Sequence, residues 1–278
     1  MKVAGVIGWP IAHSLSPRLH SFWIREHGVD GAYVPLPAKP QEFSNVLCGL
    51  RAAGFVGVNV TLPHKEAAFA VAHVYDGASR TAGAANRLIF RDGCIEAGNS
   101  DVAGLQASLV HDMGPDALRG RQVIVLGAGG AARAAVLACD NLKAGTIHIL
   151  NRTRRRVDNL VEDLGNSVSA MLSANSPDAW SALAPGTHLL VNATSAGMRG
   201  TASSEQALEL LRPDAVVCDT VYDPLETPLL ARARSLGLRS FDGLGMLMHQ
   251  AVPAFEAFFG IRPTVSAALR ADLENALR

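Results

Sequence analysis

The sequence predicts an α/β protein of two domains. Short, continuous apolar runs alternate with helical patterns along most of the chain, and the runs fall into two series. Buried parallel strands are apolar throughout rather than alternating, and two βα series imply two α/β domains. The 278 residues, 49% of them hydrophobic, suffice for one large core or two ordinary ones.

The first series places strands at 3–8, 31–36 and 55–62, with helices at 18–28 and 41–54 between them. The stretch "RLIFRDGCIEA" at 87–97 reads as a hairpin turning at Asp92-Gly93. The joint lies within 101–121, where "DVAGLQASLVHDMG" reads as a connecting helix. The second series places strands at 122–127, 146–150, 188–194 and 215–220. The apolar stretch 243–260 reads as a helix that Pro253 should kink or split. The expected division is 1–104, 105–242 and a closing helical segment 243–278.

Lys+Arg and Asp+Glu number 25 each, which argues against a nucleic-acid-binding surface. Cys48, Cys94, Cys139 and Cys218 are scattered and no pair has metal-ligand spacing, so no metal is expected and a reducing compartment is. The opening apolar run is too short for a signal peptide, and no stretch approaches the ~20 apolar residues of a membrane span. The expectation is a soluble cytoplasmic protein without membrane contact.

"QVIVLGAGGAARAAVLA" is a strand, a glycine turn and a helix, fitting G-x-G-x-x-A at Gly127, Gly129 and Ala132. Gly127 permits the tight turn, Gly129 lets the backbone approach a pyrophosphate at the helix N-terminus, and Ala132 lets helix and strand pack closely. The next strand ends at Asn151, where an NAD site would carry a carboxylate for the ribose hydroxyl. "NRTRRR" follows instead. A guanidinium binds a 2′-phosphate that a carboxylate would repel, so the cofactor expected is NADP, clamped by Arg152 with Arg154, Arg156 or both. The other reading, a solvated helix start, sets cations against the helix dipole.

"VNVTLPHKEAAFAVA" runs from strand to helix, with Pro63 suited to the first helical position and Lys65 in the first turn. That is the strand end at which α/β folds bind ligands. The dipole disfavours a cation there, which suits Lys65 to accept a proton; a tolerated surface lysine is the alternative. His64 reads as a bystander. Ser14 and Ser16 either stabilise their turn or chelate a carboxylate. Asp101, where a helix begins, serves simply as an N-cap. Asn86 precedes the hairpin, and Gln250 is a polar residue on an apolar helix.

Together these segments resemble the shikimate dehydrogenase family over nearly the whole chain. The matching motifs are "GWPIAHSLSPRLH", "GVNVTLPHKEAA", "AGAAN", "GNSDVAG", "LGAGGAARA", "NRTRRR", "VNATSAGM", "VYDPLETPLL" and "DGLGMLMHQA". The resemblance implies an N-terminal α/β substrate domain, a Rossmann-type doubly wound NADP domain and C-terminal helices returning to the first domain. It implies reversible, NADP-dependent reduction of 3-dehydroshikimate to shikimate in aromatic amino acid biosynthesis.

It also implies roles. Ser14 and Ser16 would bind the substrate carboxylate. Thr61, Asn86 and Gln250 would hydrogen-bond ring hydroxyls, with Asn59 lining the pocket and Tyr222 reaching the substrate. Lys65 and Asp101 would be the catalytic pair. Gly127, Ala128, Gly129, Gly130 and Ala131 would hold the pyrophosphate. Asn151, Arg152, Thr153, Arg154 and Arg156 would hold the 2′-phosphate, and Thr220 and Gly243 would lie near the nicotinamide. The protein would be a monomer or a homodimer. Ala85, Arg87, Ser100 and Gly77 depart from the family pattern, and Arg87 bears on the preference for the substrate ring. The rival readings are a quinate/shikimate dehydrogenase of broader specificity and a non-catalytic NADPH-binding sensor.

Overall fold

The computed structural model describes residues 1–202 and 206–277. Two compact units divide the chain, Met1–Asp101 with Leu247–Ala276, and Val102–Met246.

The first unit runs β1 (Lys2–Gly8), α1 (Ser16–Glu26), β2 (Gly31–Pro37), α2 (Phe43–Ala52), β3 (Gly57–Val60), α3 (Lys65–Ala70), β4 (Val74–Tyr75), α4 (Gly77–Ala82), β5 (Arg87–Arg91) and β6 (Cys94–Gly98). Its sheet has the order β2-β1-β3-β5-β6-β4. β1 is parallel to β2 and β3, and β5 is antiparallel to β3 and β6. The hairpin closes at the Arg91–Cys94 pair, with Asp92 at φ 50° and Gly93 at φ 76°. Positive φ at both central residues is what a two-residue hairpin turn of type I′ demands.

The second unit follows α5 (Asp101–Met113) with β7 (Gln122–Leu126), α6 (Gly130–Asn141), β8 (Thr146–Leu150), α7 (Arg154–Gly165), β9 (Met171–Asn175), α8 (Trp180–Leu183), β10 (Leu189–Asn192), β11 (Val216–Asp219), α9 (Pro228–Ser235) and β12 (Arg239–Phe241). The sheet is parallel throughout, in the order β12-β11-β10-β7-β8-β9. This is the doubly wound arrangement, whose strand order reverses direction between β7 and β10. α10 (Leu244–Phe259) and α11 (Ala267–Leu277) complete the chain.

Strands β4, β9 and β12 have no counterpart among the apolar runs. β4, β9 and β12 are terminal strands of their sheets, with Met171 of β9 and Val74 of β4 exposed. Their residues are half-buried or exposed, so they carry no continuous apolar signature. Pro253 lies inside α10 without splitting it. Pro63 lies outside α3: His64 N–H bonds the Thr61 carbonyl at 3.0 Å, and this turn delays the helix to Lys65.

The closing helices pack on the first unit through an aromatic cluster. His20 of α1 stacks on Tyr33 of β2 at 3.9 Å, with Trp23, Phe255 and Phe258 around them. Trp23 Nε1 donates to the Thr264 carbonyl, and Arg18 pairs with Asp272 of α11. Burial pushes the His20 imidazole down to about 3. The opposite sheet face buries Phe43 and Leu47 of α2 against Val58, Val60, Leu88 and Ile95. In the second unit Ile124, Leu150, Leu190 and Val217 pack against Trp180, Leu229 and Leu230. Burying each such side chain stabilises by about 1.5–3 kcal/mol. Cys48 and Cys94 are exposed, and Cys139 and Cys218 are buried, with burial pushing the Cys139 thiol up to about 12.

Candidate active site

In the first unit the end of β3, the start of α3, the β5 entry and the start of α5 converge on one buried polar cluster. Lys65 is the first residue of α3 and its ammonium bonds Asp101 Oδ2. A lysine at a helix N-terminus lacks a countercharge from its own backbone, and Asp101 supplies it. Asp101, 5% exposed, is the first residue of α5, and its N–H donates to Asn99 Oδ1 at 3.0 Å. Its carboxylate is bonded by Lys65 and by Asn86 Nδ2, which donates to Oδ1 at 2.7 Å.

Asn86 is the hub. Its Oδ1 accepts from Ser100 N–H at 2.9 Å, and its Nδ2 also approaches Ser100 Oγ and Gln250 Oε1 at 3.1 and 3.3 Å. Gln250 therefore faces the polar cluster from an otherwise apolar helix. The Asn86 carbonyl accepts from Val60 N–H at 2.8 Å and from Asn59 Nδ2 at 3.2 Å. Asn59 is engaged at both ends of its amide, because Tyr33 donates to its Oδ1 at 2.8 Å.

Thr61 follows β3. A Cβ added to Gly8 would lie 2.5 Å from its methyl and 2.9 Å from Ile11, so the chain after β1 is threaded against Thr61. Ser14 N–H bonds the Ile11 carbonyl, and Ser14 Oγ accepts from Ser16 N–H at 3.3 Å. That turn keeps the Ser14 hydroxyl proton free to donate. His64 is structural, bonded to the Ala38 carbonyl at 2.8 Å and stacked on Phe43. Arg87 lies one residue beyond Asn86 on β5, and successive strand side chains face opposite ways. It bonds the Pro253 carbonyl at 3.3 Å and reaches at 3.5 Å the Asp76 oxygen that also accepts from Asn99 N–H. Asp76 caps α4, and Gly77 opens that helix with free space at its Cβ position.

In the second unit Gly127 follows β7 at φ 109°, and a Cβ there would meet the Ala193 carbonyl at 2.9 Å. Gly127 thus stands where the strand order reverses, beside the end of β10. Gly129 caps α6 without a side-chain bond, and nothing lies within 4 Å of its Cβ position. Ala128 lies between them in the turn, Gly130 and Ala131 open the helix, whose first turn carries no acid, and Ala132 is fully buried. The backbone N–H groups are therefore open to an anion.

Asn151 follows β8, its Nδ2 bonding the Thr153 carbonyl at 3.2 Å. Thr153 caps α7 without a side-chain bond. Arg154 pairs with Asp158 at 2.8 Å, whereas Arg152 and Arg156 are exposed, with no ion-pair partner among the described residues. Of the arginines proposed as clamps, Arg152 and Arg156 are thus the uncommitted ones. Gly243 packs on Thr220, where a Cβ would lie 2.2 Å from the Thr220 carbonyl. Thr220 Oγ1 bonds the Asn192 carbonyl at 2.9 Å. The adjacent Asp219 is bonded by Asn192, Thr227 and Val221 N–H, while burial pushes its carboxyl up. Tyr222 follows in the same loop and is half-buried.

Sequence reasoning missed Asn99 and Tyr33. Tyr33 lies in no motif and its partner Asn59 is 26 residues away, whereas Asn99, inside the "GNSDVAG" stretch, accepts from Asp101 N–H only two residues on.

The shikimate dehydrogenase substrate binding domain model matches residues 6–88, and the shikimate / quinate 5-dehydrogenase model matches residues 108–197. The NADP(+) shikimate dehydrogenase of Mesorhizobium japonicum is 47% identical over 97% of this chain and 95% of its own length. The crystal structure of shikimate 5-dehydrogenase from Thermus thermophilus with NADP(H) and shikimate superposes with a TM-score of 0.85 at 32% identity, covering 100% of this chain and 98% of that one. A ligand-free 5-ketofructose reductase of a Gluconobacter species reaches the same TM-score at 29% identity, over 99% of this chain and 98% of the other. The fold is shared by more than one activity, but the two family models and the close full-length relative agree: the chain belongs to the shikimate dehydrogenase family.

Proposed function

We infer that this chain catalyses the reversible, NADP-dependent reduction of 3-dehydroshikimate to shikimate. The observation that carries the mechanism is the Lys65–Asp101 pair, with Asp101 held on its second oxygen by Asn86. In this reading the first unit binds the substrate and the second binds NADP.

The residues present fit NADP. Gly129 leaves room for a pyrophosphate against the uncapped start of α6, and Arg152 and Arg156 are exposed with no ion-pair partner among the described residues. Gly127, Ala128, Gly130 and Ala131 would complete the pyrophosphate cradle, and Asn151, Thr153 and Arg154 the surroundings of the 2′-phosphate. Thr220 and Gly243 would border the nicotinamide. NADP supplies the hydride acceptor when bound.

Lys65 takes the proton of the substrate 3-hydroxyl in the oxidative direction and returns one to the forming alkoxide in the reductive direction. Asp101 fixes the ammonium and offers its carboxylate to a neighbouring hydroxyl. Asn86 and Gln250 hydrogen-bond ring hydroxyls, with Thr61, Asn59 and Tyr222 beside them, and Ser14 and Ser16 bind the carboxylate. Arg87 is engaged by the Pro253 carbonyl and Asp76, so the ring preference is expected not to depend on direct contact with it.

Initial rates with shikimate, quinate and fructose, each with NADP and NAD, test this reading. Turnover dominated by shikimate with NADP is expected. Equal rates with quinate or NAD would place the chain among the broader-specificity enzymes, and NADPH binding without any turnover would make it a sensor.

A further inference from the structure

A buried polar chain leads from the Lys65–Asp101 pair to the aromatic core of the first unit. Asp101 accepts from Asn86 Nδ2 at 2.7 Å. The Asn86 carbonyl accepts from Asn59 Nδ2 at 3.2 Å, and Asn59 Oδ1 accepts from the Tyr33 hydroxyl at 2.8 Å. Tyr33 is 5% exposed, and its ring is clamped by the His20 stack at 3.9 Å and an interplanar angle of 1°. We propose that Tyr33 is a positioning residue for catalysis, locking the Asn59 amide so that Asn59 holds the Asn86 backbone and Asn86 holds Asp101.

The direction of each bond is dictated by chemistry. A backbone carbonyl can only accept, so Asn59 must turn its Nδ2 toward Asn86. Its Oδ1 then faces Tyr33, which must donate. Without the hydroxyl, Oδ1 is a buried acceptor lacking a partner, and the amide gains from rotating away from Asn86. The carbonyl of Asn86 belongs to the same residue whose side chain fixes Asp101, so a loosened backbone there relaxes the Asp101 carboxylate and with it the Lys65 ammonium. Catalytic groups lose effectiveness steeply when displaced by a fraction of an ångström to an ångström. The remainder of the tyrosine is core packing, so the two roles separate at one oxygen atom.

This inference rests on the proton role of Lys65 proposed above. The test compares Tyr33→Phe, Asn59→Ala, the double variant and Lys65→Ala in the full chain. Tyr33→Phe keeps the ring and its stack on His20; circular dichroism and the melting temperature establish that it is folded. Its kcat for shikimate is expected to fall by about tenfold, the equivalent of one hydrogen bond, with the KM for NADP unchanged and the pH profile of kcat displaced. In the Asn59→Ala background the same substitution is expected to change kcat less than about twofold, since its route is already cut. An unchanged kcat and pH profile in Tyr33→Phe, or an undiminished loss in the Asn59→Ala background, overturns the inference while Lys65→Ala remains inactive. Substantial turnover by Lys65→Ala overturns the proton role itself.

Discussion

Lys65 and Asp101, 36 positions apart in the chain, each open a helix and are joined across those two helix starts by an ion pair. Asp101 is the more buried partner, at 6% side-chain exposure against 18%. A carboxylate at a helix N-terminus is favoured by the dipole and a lysine is not, so the pair places its stable member where it can hold the other. Lys65→Met, which keeps the aliphatic stem, should lower kcat by roughly 10²–10⁴-fold, the range for losing a general acid-base. Steady-state kinetics should show KM for shikimate moving far less; a change in KM alone would assign the lysine to binding.

The two uncommitted arginines give a different signature. Arg152→Ala with Arg156→Ala should raise the KM for NADP by roughly 10–100-fold, each charged hydrogen bond being worth about 1.5–3 kcal/mol before solvent screening. The KM for NAD should hardly move. Arg154→Ala should weaken NADP binding less, because Arg154 is paired with Asp158. Equal effects on both cofactors would mean that the arginines do not read the 2′-phosphate.

Two glycines of the second unit should respond in opposite ways to the same methyl group. Gly243→Ala places a carbon 2.2 Å from the Thr220 carbonyl, so the backbone must shift. Overpacking of this kind costs about 1–3 kcal/mol or more, visible in thermal melts without ligand. Gly129→Ala meets nothing within 4 Å and has φ −103°, so the free protein should melt normally. Its loss should surface only in NADP affinity, measured by fluorescence titration.

His20 makes stability pH-dependent. An unfolded imidazole titrates near 6.5, whereas burial holds His20 at about 3. Between those values the unfolded chain binds a proton that the folded chain refuses. This contribution is harmless above about pH 6.5 and removes stability as the pH falls toward 3, by up to ~1.4 kcal/mol per pH unit. Urea midpoints from pH 7 to pH 4.5 should fall less steeply in His20→Phe than in the parent protein. Parallel curves would refute the assignment.

The sequence was most legible where a signal is local. The strands β1, β7, β8, β10 and β11 are continuous apolar runs, and the Gly127 turn announces itself by spacing. β9 and β12 were hidden because none of their residues is fully buried, so nothing demands a uniformly apolar run. The helix beginning at Pro63 was reasonable from propensity but lost to a local Thr61–His64 turn, and the Asp101 carboxylate is engaged by Lys65 and Asn86. Arg87 is adjacent in sequence to Asn86, and its guanidinium is engaged by the Pro253 carbonyl and Asp76. The Tyr33–Asn59 bond had no signal at all, since 26 residues separate two groups that no motif links.

The distribution of thiols carries a practical consequence. Cys139 and Cys218 lie in the core of the second unit, whereas Cys48 and Cys94 are on the surface of the first. Under native conditions an alkylating reagent should therefore tag the first unit promptly and spare the second. Delayed alkylation of Cys139 or Cys218 becomes a built-in clock for opening of the second unit, and slowing of that clock by NADP would report cofactor binding with no substrate turned over.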